Sequence, residues 1–527
     1  MIHLLLVGIA ALTCLASHRI ATKLPIPSLL IFIFIGILFG VNGIGKIQFE
    51  NFELTESICS VALLFIMYFG GFNTNIKEAK EVVGQAVIMA TAGVCLTAAI
   101  AATCIHYILN LSWINSLLIS SVIASTDAAS VFSILRSQDL SLKYKTDSLL
   151  EIESGSNDPM SYMLTCVFTA LALGSSICVP VLLAKQILIG LAAGYILSQI
   201  AIRVLETTEI SMDQGEIIFL LAIGIIGYSL PNLLGGNGYL SVYLAGILIG
   251  NSNISHKQTY AKFFNVITSM CQMIIFFILG LLVTPTNLPH VFIPALIVFI
   301  CLTFIARPLA SIILLSYKHP SKEKTACISW SGFRGVASIV FSIYIMLNKV
   351  NLPYNIFDLV FVVVLLSLLF QGATLASLSK RLDMIDETSD VRRTFNDFAS
   401  SQEYVFIELE LEDHLSWSNK KISDIEVPKG TLIALVIRDN ERIIPNGDVI
   451  LLPGDKLVLV APQFNDNLKT PLHEVIITNH SPYKNKTLAS LNPNNNLLVL
   501  SVKRGDDIFI PTGKTKLEVN DIAILYK

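Results

Sequence analysis

Apolar residues in this chain come in long unbroken runs. Thirteen can be marked, over residues 2–17, 26–45, 54–73, 84–108, 111–136, 150–174, 180–203, 215–231, 236–250, 260–283, 290–317, 325–347 and 355–379. Most are about 20 residues long, enough for a helix to cross a bilayer. The first and ninth are short. The first lacks a basic n-region and reads as a helix, not a signal peptide. After residue 381 the pattern changes. Residues 382–402 are polar and read as a linker. Beyond them lie short runs such as "YVFIELEL", "TLIALVIR", "DKLVLVAP" and "NLLVLSVK", which are strand patterns with turn residues between them. The expectation is a polytopic all-α membrane domain over 1–381, a linker, and a small α/β region.

The loops orient the spans. With strict alternation one set of loops holds fifteen basic residues: Arg19, Lys23, Lys77, Lys80, Arg136, Lys143, Lys145, Arg203, Lys257, Lys262, Lys318, Lys322, Lys324, Lys380 and Arg381. The other set holds Lys46 and Lys349, with Lys185 just inside a span. Basic loops stay cytoplasmic, so the N-terminus is expected outside and the C-terminus in the cytoplasm. Composition agrees with a membrane protein, at 53% hydrophobic and 14% charged over 527 residues.

The polar C-terminal region repeats itself. "KISDIEVPKGTLIALVIRDNERIIPNGDVILLPGDKLVLV" from Lys421 meets "TLASLNPNNNLLVLSVKRGDDIFIPTGKTKLEVNDIAIL" at an offset of 66 residues. Arg438 meets Arg504, Pro445 meets Pro511, Gly447 meets Gly513 and Asp455 meets Asp521. Fixed-offset matches at turn residues indicate two copies of one module, bounded at 403–463 and 464–527. Such copies can pair and form a cleft that a small ligand or ion could bridge. Arg438 and Arg504 read either as contacts to that ligand or as solvated charges at strand ends, and the second reading is favoured.

Carboxylates inside the apolar runs are costly and need a reason. The fifth run reads "SSVIASTDAASVFSIL". Ser, Thr and Asp there compete for backbone hydrogen bonds, so Ala124–Ala129 is expected to break the helix. A break in a bilayer must be buried or line a wet cavity, where its carbonyls can ligate a cation. The sixth run starts "LEIESGSNDPMSYMLT". Ser154 and Asp158 share a face, as do Glu153 and Asn157. Pro159 leaves the Gly155 carbonyl open as another acceptor. A hard monovalent cation needs oxygen ligands, and a carboxylate among them can trade it for protons. Glu153 could instead lie at the interface, and Asp127 could be a helix cap. The twelfth run, "TACISWSGFRGVASIVFSIYIM", puts Arg334 at its middle, and pairing with Glu153 is the natural expectation. Its flanking Gly332 and Gly335 would let other backbones approach. The fifth and twelfth runs are seven crossings apart, hence antiparallel, as inverted repeats would be. Arg307, in "IARPLA", reads either as paired in the membrane or as snorkelling to the cytoplasmic end.

Nothing suggests an enzyme. There is no Walker loop, no G-x-G-x-x-G after a strand, no H-E-x-x-H and no G-x-S-x-G. The nine cysteines, Cys14 to Cys327, form no C-x-x-C pair and read as small buried hydrophobes. No cofactor, no resident metal and no nucleic-acid partner is expected.

"STDAASVFSILRSQDL", "LEIESGSNDPM", "SWSGFRG" and "SLLFQGATL" resemble the NhaP-type monovalent cation:proton antiporters, closest to the potassium/proton branch called cell volume regulation protein A. The tandem repeat resembles the TrkA-C module, the C-terminal lobe of RCK domains. The resemblance implies thirteen helices, a homodimer in a bacterial inner membrane, and a core moving against a dimerisation domain. It implies ion ligation by the Asp158 carboxylate, the Ser154 hydroxyl and the Thr126 carbonyl, with Asp127 and Asn157 holding the crossing together. It makes Glu153 with Arg334 a structural ion pair. Members with Asn-Asp, as here, are usually electroneutral. One position departs: where the family often has an acid before paired glycines, this chain has Phe69. The implied activity is exchange of K⁺, or Na⁺, for protons, regulated by the C-terminal modules. The rival readings are an RCK-gated potassium channel, against which stands the lack of a TVGYG-like filter, and a sensor that has lost transport.

Overall fold

The computed structural model describes residues 28–386 and 404–526, together with Gly8, Leu12 and Thr13; the stretches omit 75, 128–129, 132–133, 136–139, 176–177, 208–212, 253, 255–256, 319, 412–416, 429–430, 439–440, 463–471, 479–480, 492–497, 505–506 and 510. The first expected span and most of the linker therefore fall outside the described residues. The chain forms two compact units, Met1–Arg392 and Arg393–Lys527.

The first unit is helical. Its longer helices among the described residues are α1 (Ser28–Phe39), α2 (Phe52–Asn73), α3 (Val83–Leu109), α4 (Trp113–Ile123), α5 (Thr146–Ala172), α6 (Val179–Thr207), α7 (Asp213–Leu233), α8 (Gly238–Gly250), α9 (Lys257–Leu282), α10 (Leu288–Leu315), α11 (Lys322–Trp330), α12 (Val336–Leu347) and α13 (Ile356–Arg381). Among the described residues seven are long and apolar enough to cross a membrane: α2, α3, α6, α7, α9, α10 and α13. Four shorter apolar helices, α1, α4, α8 and α12, accompany them. α4 and α12 are short because the fifth and twelfth runs break, as their polar residues predict. α3 and α10 each carry a π turn, at Met89–Gly93 and Cys301–Ala306, and the second of these leads straight into Arg307.

Small residues set the closest approaches. α8 lies on α2 so tightly that a Cβ on Gly246 would fall 2.2 Å from the Tyr68 carbonyl oxygen, and one on Gly71 2.4 Å from that of Tyr243. Lipid gives helices no hydrophobic reason to associate, so contact of this kind supplies the van der Waals energy. The end of α13 is also tied down. Leu142 and Ile385 form an isolated antiparallel bridge, the Lys143 N–H donates to Met384 O, and Lys143 Nζ meets Asp383 at 2.9 Å.

The second unit holds two four-stranded antiparallel sheets. One contains β1 (Tyr404–Glu410), β2 (Leu432–Arg438), β3 (Glu441–Ile443) and β4 (Lys456–Pro462), in the order β1-β4-β2-β3. The other contains β5 (Leu472–Ile476), β6 (Leu498–Arg504), β7 (Asp507–Phe509) and β8 (Ile522–Tyr526), in the same order, β5-β8-β6-β7. The repeat extends to side chains. Arg438 Nε and Nη2 clamp Asp455, whose Oδ2 also accepts from the Leu452 N–H. Arg504 Nε and Nη2 clamp Asp521, whose Oδ2 accepts from the Glu518 N–H. Both carboxylates are buried. The Arg504 hydrogen bond holds the Asp521 carboxyl below the usual carboxylate range. Both arginines stand at strand ends and stay partly exposed, as the favoured reading expects, but each fork is also paired within its own module.

Candidate ion-binding site

The site grows from the two broken spans. α4 ends at Ile123, and residues 125–127 run on without helix. Its last carbonyls are orphaned, with partial negative charge gathered there. Arg334 answers this end: its Nη1 donates to the carbonyl oxygens of Ala124 and Ser125, each at 2.8 Å. The opposite break, Ser331–Gly335, crosses at the same place, where the Asp127 N–H donates to Phe333 O at 2.8 Å. The Asp127 carboxylate accepts from the Ser130 hydroxyl at 2.5 Å and from the Ser130 N–H at 3.4 Å, which makes it a cap for the resuming helix. It also lies against Gly335, the N-cap residue of α12, where a Cβ would fall 2.5 Å from Asp127 Cβ. An anion thus faces two helix starts and a cation faces a helix end, the favourable sense in each case.

α5 lines this crossing with oxygen. Ser154 Oγ donates to Thr126 O at 2.7 Å, and Asn157 Nδ2 to Thr126 Oγ1 at 2.5 Å. Ser125 Oγ donates to Asp158 Oδ1. One turn further, Ser161 Oγ donates to Ser121 O at 2.5 Å. Asp158 is partly exposed, whereas Ser154 and Asn157 are buried. Asn157 Oδ1 is a buried acceptor with no hydrogen-bond partner among the described residues. The five residues singled out from sequence, Thr126, Asp127, Ser154, Asn157 and Asp158, therefore meet in one place. Two hydroxyls, a backbone carbonyl and a single carboxylate are hard donors of the kind a monovalent cation takes, and the carboxylate can carry a proton instead.

The expected ion pair does not form between Glu153 and Arg334. Glu153 Oε1 meets Arg307 Nη1 at 2.6 Å, and both side chains are almost fully buried, at 1% and 3% exposure. Arg334 is occupied at the end of α4, while Arg307 reaches Glu153 past Gly332, where a Cβ would fall 2.9 Å from Arg307 Nε. Gly332 and Gly335 accordingly make room for side chains, and Arg307 does not snorkel. Phe69 is buried and stacks on Phe264 at 6.2 Å between ring centroids, so an aromatic contact between α2 and α9 stands where the family resemblance leads to the expectation of an acid.

Sequence reasoning missed three partners. Ser125 was passed over because a serine in an apolar run carries little signal alone. Ser367 and Gln371 hold the twelfth-span break: the Arg334 N–H donates to Ser367 Oγ at 3.0 Å, Ser367 Oγ donates to Gln371 Oε1, and Gln371 Nε2 donates to Trp330 O at 2.9 Å. Their spacing of four inside "SLLFQG" was the available clue.

Comparison with known proteins places the chain in a family. Residues 8–381 match the family model for the transmembrane sodium/hydrogen exchanger, and residues 406–463 and 472–526 each match the TrkA-C domain. The chain is 31% identical over 466 residues to the K(+)/H(+) antiporter NhaP of Alkalimonas amylolytica, covering 87% of this chain and 80% of that protein. It is 32% identical over 467 residues to the K(+)/H(+) antiporter NhaP2 of Shewanella sp. (strain ANA-3), covering 86% and 80%. The solved sodium proton antiporter MjNhaP1 of Methanocaldococcus jannaschii superposes with a TM-score of 0.61 at 23% identity, over 71% of this chain and all of that one. With broken helices crossing beside the Asp158 carboxylate and matches running over most of its length, the chain is a multi-pass membrane protein of the sodium/hydrogen exchanger family, and it carries two TrkA-C domains.

Proposed function

We propose that the protein exchanges a monovalent cation for protons, with K⁺ favoured and Na⁺ a second substrate. The observation that carries this reading is the meeting of Asp158 with Ser125, Ser154 and Thr126 at the crossing of the two broken spans. The carboxylate holds either a cation or a proton, and the alternative occupants leave the site with the same charge. With Asn157 beside it instead of a second acid, one cation for one proton moves no net charge, so exchange is electroneutral. The K⁺ preference leans on the relatives named K(+)/H(+) antiporters.

In this reading thirteen crossings arranged as inverted repeats alternate access to Asp158. The N-terminus lies outside, the C-terminus lies in the cytoplasm of a bacterial inner membrane, and two copies assemble as a homodimer. The TrkA-C domains set the activity from the cytoplasm. The test is proton movement in everted vesicles on adding K⁺, Na⁺, Li⁺ or Rb⁺. The expected result is K⁺-driven proton flux that clamping the membrane potential leaves unchanged. Flux with none of the four ions would remove the reading, and flux that follows the potential would remove its electroneutral form.

A further inference from the structure

Beyond Asp158, toward the end bearing Lys46 and Lys349, lies a cluster of rings that the ion site does not use. Tyr162 sits one turn from Asp158 on α5, hence on the same face. Its ring meets Tyr239 at 5.1 Å, Phe341 at 5.5 Å and Tyr344 at 5.9 Å between centroids. Tyr239 also meets Tyr228 at 5.0 Å. These rings come from α5, α7, α8 and α12 and pack against one another one turn beyond Asp158. Tyr239 and Phe341 are almost wholly buried.

The cluster has a polar seam. Tyr228 donates to the Tyr239 hydroxyl at 3.4 Å, Tyr239 to Ser60 Oγ at 3.2 Å, and Ser60 to Glu56 Oε1 at 2.8 Å. Every link donates toward Glu56, which is partly exposed in the second turn of α2. The first two links are long for hydroxyl pairs, so this is a ladder of oxygens and not a tight proton wire. Phenylalanine would pack such a core without burying hydroxyls, whose desolvation is costly. The ladder leads from the ring cluster to the partly exposed Glu56 carboxylate, and its oxygens suit the same hard cation as the site.

We propose that Tyr162, Tyr228, Tyr239, Tyr344 and Phe341 form the outer barrier of the ion route, and that Glu56, Ser60 and the Tyr239 and Tyr228 hydroxyls line the doorway through which the cation passes between Asp158 and the outside when the rings part. The doorway rests on the exchange reading, and the outward direction rests on the bias of basic loops.

A native reporter lies in the cluster. The Cys166 thiol, one turn past Tyr162, is within hydrogen-bonding reach of Tyr162, Tyr344 and Gln186. The experiment uses the full chain with the other eight of its nine cysteines replaced, in right-side-out vesicles, with a charged, impermeant methanethiosulfonate added outside. Tyr162→Ala and Tyr344→Ala are each expected to speed Cys166 labelling about tenfold, which corresponds to about 1.4 kcal/mol off the opening barrier. Unchanged labelling in both, in normally inserted protein, overturns the barrier. Tyr239→Phe and Glu56→Gln keep the rings and remove the seam. They are expected to leave labelling unchanged while raising the apparent KM for cation added outside about threefold or more, with the KM at the cytoplasmic face of everted vesicles held. Equal shifts at both faces, or none, overturn the doorway. Labelling needs no transport. A wild-type protein without cation-driven flux, but with ring-dependent labelling, would overturn the exchange reading and the doorway while leaving the barrier standing.

Discussion

Removing the Arg307 guanidinium while keeping its stem, as in Arg307→Met, leaves the Glu153 carboxylate buried with no cation within 4 Å among the described residues. At 2.6 Å the pair attracts by about 6 kcal/mol at an effective dielectric constant of about 20. Much of that is offset by the desolvation of two ions. What a single substitution exposes is the stranded charge, about 3–5 kcal/mol. Glu153→Gln should cost a similar amount by stranding Arg307, whose Nε and Nη2 already have no hydrogen-bond acceptor among the described residues. The double variant strands neither, so it should cost no more than either single and well under their sum. Reversible denaturation in mixed detergent micelles, followed by tryptophan fluorescence, gives the cycle a coupling energy of about 2 kcal/mol or more. A parallel cycle of Glu153→Gln with Arg334→Met should give a smaller coupling, because Arg334 is spent on the Ala124 and Ser125 carbonyls. Strict additivity for Glu153 with Arg307, or a larger coupling with Arg334, would show that the pairing described here is wrong.

Gly335→Ala puts a Cβ 2.5 Å from Asp127 Cβ and should cut both exchange and thermal stability, whereas Gly70→Ala, with nothing within 4 Å, should leave thermal stability nearly unchanged. A Gly335→Ala protein with wild-type melting and flux would contradict the crossing. In the second unit, the folded Asp521 carboxyl titrates below its unfolded value of about 3.9, so its pairing stabilises fully above that pH and fades as pH falls through the lower folded value. Arg504→Gln should therefore loosen β8 at pH 7 and differ less from wild type below about pH 4, read by hydrogen exchange compared at each pH; a difference that is constant with pH would refute the linkage. Truncation after residue 390 keeps the Leu142–Ile385 bridge. It should leave exchange intact while shifting its pH or cation set-point, and an inserted but inactive protein would make the TrkA-C domains part of the transport machinery.

Much of this was legible in the sequence because a bilayer tolerates so few arrangements. Apolar length marked the helices, and the break expected at Ala124–Ala129 was visible because a polar cluster inside such a run must be buried or line a wet cavity. Asp158 stood out by cost alone. Partner choice was not legible. Arg307 and Arg334 both lie in apolar segments, and only the α4 carbonyl end, a feature of backbone with no signal in side chains, decides which of them is free for Glu153. The same holds in the modules, where Arg438 and Arg504 looked like surface charges. Their acceptors, Asp455 and Asp521, lie seventeen residues on and are brought beneath them by the β2–β4 and β6–β8 pairings.

The central claim is that cation and proton compete for the Asp158 carboxylate. It is tested most directly by reconstituting the wild-type and Asp158→Asn proteins in liposomes and following K⁺-driven proton flux as a function of pH. If the two compete, the wild-type apparent KM for K⁺ rises as pH falls, approaching about tenfold per pH unit on the acid side of the site's titration, and the inserted Asp158→Asn protein shows no K⁺-driven flux at any pH. A KM that does not move with pH, or flux near the wild-type rate in the variant, would contradict it.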